Sequence, residues 1–485
     1  MATELAGIAV RTGSGLKVCV PATLGCVSTY ILLEQEAWFE KEAQFVERLV
    51  EPGDTAVDIG ANYGVYALAL ARAVGPDGQV FAYEPSAQTA AYLAESKKLN
   101  AAASLVIEQR ALSDTEGWAQ LYTSSMGGEF HALQPGQTHG GASERVPLTT
   151  LDVEQRRHNW TRLDFLKIDA EGEEARIIAG GVGVLTDQSP LVMFEIKHEK
   201  GVDLGVANAL HALGYELYRL IGPAVMLVPA DLSRISNSEL NLFAAKPDRA
   251  QIMEAKGLLA RKLTLPEHLT ADDARWVFDA PHHRHFAIQP GEIDGAYTKG
   301  LAAFGVWRDE ARPPDERFGA LILALNELRG AAQSMPNASR IAMLARASWE
   351  ADEWQAAHAC LTELVRVQAL PTGEPFLAVH PRFDTLSAEG QASEWFFVAI
   401  MELAEKINAF SSIFRQSHYE SLMMISRSRL ASPEMPRRLA MQLVRSGKPV
   451  PPGLDAVLAG EDHLNRDYLT PERLKQLCAN LKPAF

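Results

Sequence analysis

The stretch Thr55-Ala56-Val57-Asp58-Ile59-Gly60-Ala61-Asn62-Tyr63-Gly64 decides how the chain is read. Thr55 to Ile59 is short, apolar and β-prone, follows the turn-forming Pro52-Gly53-Asp54 and runs straight into a glycine turn, which predicts a buried parallel strand. Val65, Leu68, Ala69 and Ala73 then fall on one face of a helical period that Gly75-Pro76-Asp77-Gly78 stops. Strand, glycine turn and helix in this order make the part of a doubly wound sheet where the backbone approaches a ligand and helix N-terminal amides face it.

Spacing and a second acid select the ligand. A dinucleotide site sets three glycines as G-x-G-x-x-G around a pyrophosphate, whereas here Gly60 and Gly64 stand with Asn62 between them. Gln79 to Tyr83 predicts the next strand and ends in Glu84-Pro85, which places a carboxylate where the hydroxyls of a ribose can donate to it. Asp58, at the end of the first strand, suits a cationic amino group. A ribose, an amine and no diphosphate describe S-adenosylmethionine. Either acid alone serves equally well as a helix cap; the turn between them is what favours the cofactor reading.

The order Val57-Asp58-Ile59-Gly60-Ala61-Asn62-Tyr63-Gly64, Tyr83-Glu84-Pro85, Ala111-Leu112-Ser113-Asp114, Pro147-Leu148-Thr149-Thr150-Leu151-Asp152, Leu166-Lys167-Ile168-Asp169-Ala170-Glu171-Gly172 and Phe194-Glu195 resembles the FkbM family of S-adenosylmethionine-dependent methyltransferases. The resemblance runs over about half of the chain, residues 38–246. It implies methyl transfer to a hydroxyl oxygen of a sugar, glycan or other natural product, and it implies that the pair Phe39-Glu40 lies near the cofactor. The cofactor residues it and the spacing together select are Asp58, Gly60, Ala61, Asn62, Gly64, Glu84, Pro85, Ala111 and Asp169.

At 485 residues the chain is too long for one core. The apolar fraction of 47% and charged fraction of 22% are those of a globular protein, and no apolar run reaches the roughly 18 residues of a membrane span. Met1 to Leu16 lacks a basic start with an apolar core, so the expected location is the cytoplasm. Cys19, Cys26, Cys360 and Cys478 are scattered, with no C-x-x-C pair, and read as reduced thiols. Of the formal charge of -15, most lies on residues 1–250, which hold 20 Lys plus Arg against 32 Asp plus Glu. Such a surface repels phosphate backbones and anionic lipid, which excludes nucleic acid as the expected partner.

The fold class that follows is α/β, a Rossmann-like seven-stranded methyltransferase sheet followed by an all-α domain. Residues 1–50 are expected to form a hairpin of Leu16–Val20 with Val27–Leu33 and then a helix over Glu36–Val50, all packed on the catalytic domain at 51–249. Leu105 to Gln109 predicts the third strand, ending at Arg110-Ala111-Leu112 beside the adenine; Phe165–Ile168, Leu191–Phe194, Glu216–Leu220 and Leu242–Ala245 complete the sheet, with Met226–Val228 near the end. Residues 124–145 lack periodicity and read as a substrate lid with His131 and His139 as contacts. From residue 250 to 485, Ala, Leu, Glu and Arg recur at helical period. Ala345 and Ala357 stand in a helix-turn-helix of tetratricopeptide type, with a degenerate sister over Tyr297–Leu328. This helical half reads as a surface for a protein partner or as an appendage without repeat identity. His282-His283-Arg284-His285 reads as a solvated loop rather than a metal site.

Methyl transfer to oxygen requires alignment and a proton acceptor. The candidates follow the fourth and fifth strands: His198 or Glu195 as base, Asp169 along the cofactor, Glu171 beside it, and Lys197 orienting the acceptor. An alternative is that Asp169, Glu171 and Glu195 hold Mg²⁺, which acidifies the alcohol instead. A second class of function stands beside catalysis: an interaction protein whose helical half does the work on a persisting methyltransferase fold.

Overall fold

The computed structural model describes residues 6–122, 133, 143–197, 203–222, 226–235, 239–288, 295–414 and 419–479. The chain divides into two compact units: residues 1–220, 229–255 and 440–485 form the first, and 221–228 with 256–439 the second. No helix among the described residues is long and apolar enough to cross a membrane.

In the first unit, β1 (Gly7–Arg11) and β2 (Lys17–Pro21) pair as an antiparallel hairpin. The strands that follow along the chain are β3 (Thr55–Ile59), β4 (Gln79–Tyr83), β5 (Leu105–Glu108), β6 (Ala111–Leu112), β7 (Gly117–Tyr122), β8 (Ser143–Thr149), β9 (Phe165–Ile168), β10 (Leu191–Glu195), β11 (Glu216–Ile221), β12 (Met226–Pro229), of which residues 226–228 are counted with the second unit, and β13 (Asn241–Ala245). The large sheet has the order β12-β11-β13-β10-β9-β3-β4-β5. All seven strands expected from the sequence are in it, with β12 as an eighth at the edge. β3 pairs in parallel with β4 on one side and β9 on the other, while β13 runs antiparallel to β10 and β11. The order therefore reverses between β3 and β9. At such a switch point the connecting helices diverge, leaving a crevice at the carboxyl ends of the strands. The apolar runs supply the core: Val57, Ile59, Leu166, Ile168, Val192 and Phe194 are buried together.

Four expectations about this unit are corrected. Val27–Leu33 is not a strand but part of a helix over Val27–Gln35, every residue of which from Val27 to Glu34 is buried. Its β-branched composition gives way because a helix apolar on all sides is held by tertiary burial rather than by propensity. The following helix is shorter than expected and spans Glu42–Leu49, since Glu36 takes a left-handed φ of 56° and ends the preceding one. Ala111 and Leu112 do not continue the third strand; they form β6, which joins β8 and β7 in a separate three-stranded sheet.

The fourth correction concerns the domain division. The composition break lies close to the end of the helix Pro247–Ala255, but residues 440–485 belong with the catalytic unit and not with the helices before them. Leu24 N–H donates to Leu477 C=O at 2.9 Å. The amide of Asn465 pairs with both backbone groups of Arg11, accepting from N–H at 2.8 Å and donating to C=O at 2.8 Å, in the manner of an added strand residue. Asn465→Ala is expected to destabilise this unit by about 1–3 kcal/mol, because two part-buried hydrogen bonds to the backbone of Arg11 are lost; a lowered urea midpoint is the measurement, and an unchanged one places the segment outside the folding unit.

The second unit is helical. Gly295–Arg308 pairs with Pro314–Ser334, and Ala338–Glu350 with Trp354–Val367, in the two helical hairpins expected. Ala345 and Ala357 are fully buried, as close helix packing requires. His282 is not in a solvated loop: it is the buried residue of the 3₁₀ turn Pro281–His285, bonded to the Phe376 carbonyl at 3.0 Å, and burial holds its imidazole down at about 4. His283 bonds the same carbonyl at 2.7 Å. Both rings serve packing.

Candidate active site

The glycine turn is shaped by the strand beside it. Gly60 has φ +78°, and a Cβ built there would stand 1.7 Å from the Asp169 carbonyl oxygen, so only glycine lets the end of β3 lie against the end of β9. The Gly60 and Ala61 N–H groups both donate to the Tyr83 carbonyl, at 3.0 and 3.1 Å, tying the turn to the end of β4. These two amides are therefore occupied within the fold rather than offered to a ligand. Asn62, at φ +49°, donates its N–H to Glu84 Oε2 at 3.0 Å, and Ser86 N–H donates to Glu84 Oε1 at 2.9 Å. The Glu84 carboxylate is thereby fixed in orientation while each oxygen keeps a free lone pair. Burial pushes its carboxyl up to about 8, against the pull of those two amides. Pro85 follows on and Gly64, at φ +96°, opens the helix Val65–Val74.

The first acid cluster forms where β3 and β9 end. Asp58 is wholly buried and neither of its carboxylate oxygens makes a hydrogen bond. Burial raises its carboxyl, and Lys167 pulls in the opposite direction. Lys167, from β9, is only 3% exposed. Its Nζ lies 2.8 Å from Asp169 Oδ2, 3.6 Å from Asp58 Oδ1 and 5.0 Å above the Tyr66 ring. Burial lowers the ammonium, but Asp169, Asp58 and Glu40 outweigh it and leave its affinity for the proton raised. The Tyr66 hydroxyl donates to Glu40, whose carboxyl is raised by burial and then by Asp169. Glu40 thus joins the strand-end cluster.

A second cluster follows at the ends of β9 and β10. Glu174 accepts from the Ala170 and Gly172 amides and so holds the turn that carries Glu171. Glu171 sits at φ +48°, and its carboxyl is pushed up to about 7 by burial and then by Asp169. Lys197 Nζ approaches Glu171 at 3.6 Å and Glu174 at 3.9 Å. Glu195 carries one buried oxygen without a partner, and burial together with Asp169 and Glu171 raises its carboxyl. His198 lies outside the described residues, as do His131 and His139.

The alternative magnesium set of Asp169, Glu171 and Glu195 does not converge. Among the described residues the carboxylate and imidazole atoms that come within 4.8 Å of one another as a potential metal group are those of Glu108, Glu154 and His158. Arg110 and Arg157 already neutralise them, Arg110 at 3.3 Å from Glu154 and Arg157 at 3.1 Å from Glu108. Ala111 is buried in β6, which begins three residues after the end of β5. The motif residues around it are supports: Ser113 donates to Glu173 at 2.7 Å, Thr150 caps the helix Leu151–His158, and Asp152 accepts from Gly183 and Val184. Lys167 and Tyr66 are the site residues to which the sequence assigned no role. A lysine inside the otherwise apolar strand Phe165–Ile168 was the available signal, since an ammonium enters a parallel sheet only with partners.

Two comparisons bear on this geometry. Residues 58–217 match the methyltransferase FkbM domain. The solved structures that match include methyltransferase FkbM from Methylobacillus flagellatus KT, 15% identical over 40% of this chain and 44% of that chain, TM-score 0.28. Others are a SAM-dependent O-methyltransferase from Thermotoga maritima, 17% identical over 50% of this chain and 78% of that one, TM-score 0.26, and Aeropyrum pernix fibrillarin with natively bound S-adenosyl-L-methionine, 10% identical over 50% and 100%, TM-score 0.27. The chain thus spans less than half the length of the first of these. No curated protein matches the sequence. The chain carries an FkbM methyltransferase domain at residues 58–217.

Proposed function

We propose that the first unit is an S-adenosylmethionine-dependent O-methyltransferase acting on a hydroxyl of a sugar or glycan. The observation that carries the cofactor reading is Asp58: a fully buried carboxylate with two unbonded oxygens, beside a glycine turn whose Asn62 Oδ1 is also buried without a partner. Orphaned acceptors are costly unless something donates to them. An ammonium group fits Asp58, and ribose hydroxyls fit the free lone pairs of Glu84. When bound, S-adenosylmethionine supplies an electrophilic methyl group.

Asp58, Asn62 and Glu84 hold and orient the donor in this reading, and Asp169 lines it. Glu171 then takes the proton of the acceptor hydroxyl. Its affinity near 7 suits it to that task at neutral pH, whereas Glu195 retains its own proton and donates a hydrogen bond. Lys197 stays charged, because Glu174, Glu171 and Glu195 outweigh the lowering effect of burial, and it stabilises the carboxylate of Glu171.

Titration calorimetry with S-adenosylmethionine tests the cofactor half. Glu84→Ala is expected to weaken binding by about 1–3 kcal/mol, as the ribose hydroxyls lose an oriented carboxyl partner; unchanged affinity removes Glu84 from the site. Mass spectrometry of glycans incubated with enzyme and labelled donor tests the acceptor half, where a labelled amine instead of a labelled ether overturns O-methylation.

A further inference from the structure

Lys167 is a residue that the chemistry above does not use, and it is an almost wholly buried cation at the sheet edge. It enters from β9, the strand that flanks the switch point. Around its ammonium stand Asp169 just beyond its own strand, Asp58 from β3, Tyr66 from the helix Val65–Val74 and Glu40 from the segment before Glu42–Leu49. Three carboxylates thus face one cation. Without that cation the wholly buried Asp58 would take up a proton, since burial disfavours the charged form and the neighbouring Asp169 adds to the effect.

We infer that Lys167 is a positioning residue of the donor site, a fixed internal cation, itself held by Asp169, that keeps Asp58 as a carboxylate ready for the donor's ammonium group. The inference rests on the cofactor reading given above. The geometry divides its work. The 2.8 Å contact with Asp169 is a charge-assisted hydrogen bond, while the 3.6 Å approach to Asp58 is too long for one and acts through charge alone. Asp58 is thereby kept ionised without having its oxygens consumed. An arginine or a directly bonded lysine would occupy the lone pairs that the ligand needs.

Removing the cation changes donor affinity in a way that depends on pH. Acid protonates Asp58, and the ammonium of the donor then loses its partner, so affinity falls as pH falls. Without Lys167 Asp58 holds its proton to higher pH, and this fall moves upward by about one pH unit or more. At high pH the acids are ionised in both proteins, and the variant site carries one more net negative charge. S-adenosylmethionine has a sulfonium and S-adenosylhomocysteine has none, so only the former gains fully from that extra charge.

Calorimetry on the full chain from pH 6 to pH 9 measures this. Lys167→Met is expected to bind S-adenosylmethionine at least 10-fold more weakly than wild type at pH 6 and equally or more tightly at pH 9, with S-adenosylhomocysteine gaining less at pH 9. A uniform loss at every pH, or equal changes for the two ligands, assigns Lys167 a packing role and overturns the inference. Should Lys167→Met fail to fold, Lys167→Met/Asp169→Asn removes the pair without changing the net charge; its acid limb is expected to stay within half a pH unit of wild type, and a rise of one unit or more overturns the inference. Wild type that binds no S-adenosylmethionine at any pH takes down the cofactor reading and this inference together, whereas a flat comparison between two binding-competent proteins takes down this inference only.

Discussion

Gly60→Ala is expected to abolish S-adenosylmethionine binding. Its Cβ would lie 1.7 Å from the Asp169 carbonyl oxygen and 2.9 Å from the carbonyl carbon, both backbone atoms that no rotamer change can move. The left-handed φ of +78° adds to the cost. Strain of about 1–3 kcal/mol from the backbone and about as much again from overpacking must be relieved by parting β3 from β9. That separation displaces Asp58, Asn62 and the turn at Asp169 together, so binding is lost by about 10³-fold or the unit unfolds. Gly75→Ala supplies the contrast. Gly75 also has positive φ, +67°, but a Cβ added there would meet nothing within 4 Å, so only the backbone term of about 1–3 kcal/mol remains and donor affinity holds. Calorimetry and thermal unfolding of the two variants side by side make the measurement; equal behaviour would mean that the contact with Asp169 does not shape the turn.

Turnover of Glu171→Gln is expected to fall by 10² to 10⁴, roughly what loss of a general base costs, with donor affinity near wild type. The pH dependence gives a second readout. A base must be deprotonated to act, and Glu171 sits at about 7, so wild-type turnover falls as pH drops through that value. In Glu171→Gln this acidic limb disappears, because glutamine does not titrate. His198→Ala is the companion variant. If it loses turnover and Glu171→Gln does not, the proton goes to the imidazole and Glu171 is a bystander raised by its neighbours. Loss of activity with chelator, restored by Mg²⁺, would move Asp169, Glu171 and Glu195 from proton transfer to metal binding.

The sequence alone determined the large sheet and which acids stand where its parallel strands end. Thr55–Ile59, Gln79–Tyr83, Phe165–Ile168 and Leu191–Phe194 are short apolar runs bounded by turn residues, and each appears as a strand within a residue of its expected end. Parallel strands all present their carboxyl ends at one edge, so Asp58, Glu84, Asp169 and Glu195 needed only to stand at the ends of apolar runs in order to be legible as neighbours. The glycine turn was legible for a similar reason: it is fixed by contacts within a few residues and with the adjoining strand.

Tertiary structure decided what distant segments do to one another. Val27–Gln35 reads as a strand by composition and folds as a helix, because burial on every side outweighs a propensity difference of about 1 kcal/mol or less per residue. Asn465 binds the backbone of Arg11 across 454 positions, a pairing that no local pattern encodes, and it returns residues 440–485 to the catalytic unit. Lys167 is the clearest case. Its presence in an apolar strand was visible, but whether its ammonium would meet solvent or three carboxylates depended on where Asp58, Asp169 and Glu40 came to rest. Alternation along a strand fixes the face of a side chain; the charges waiting on that face are fixed by the packing of the other strands and helices, which is a property of the whole fold.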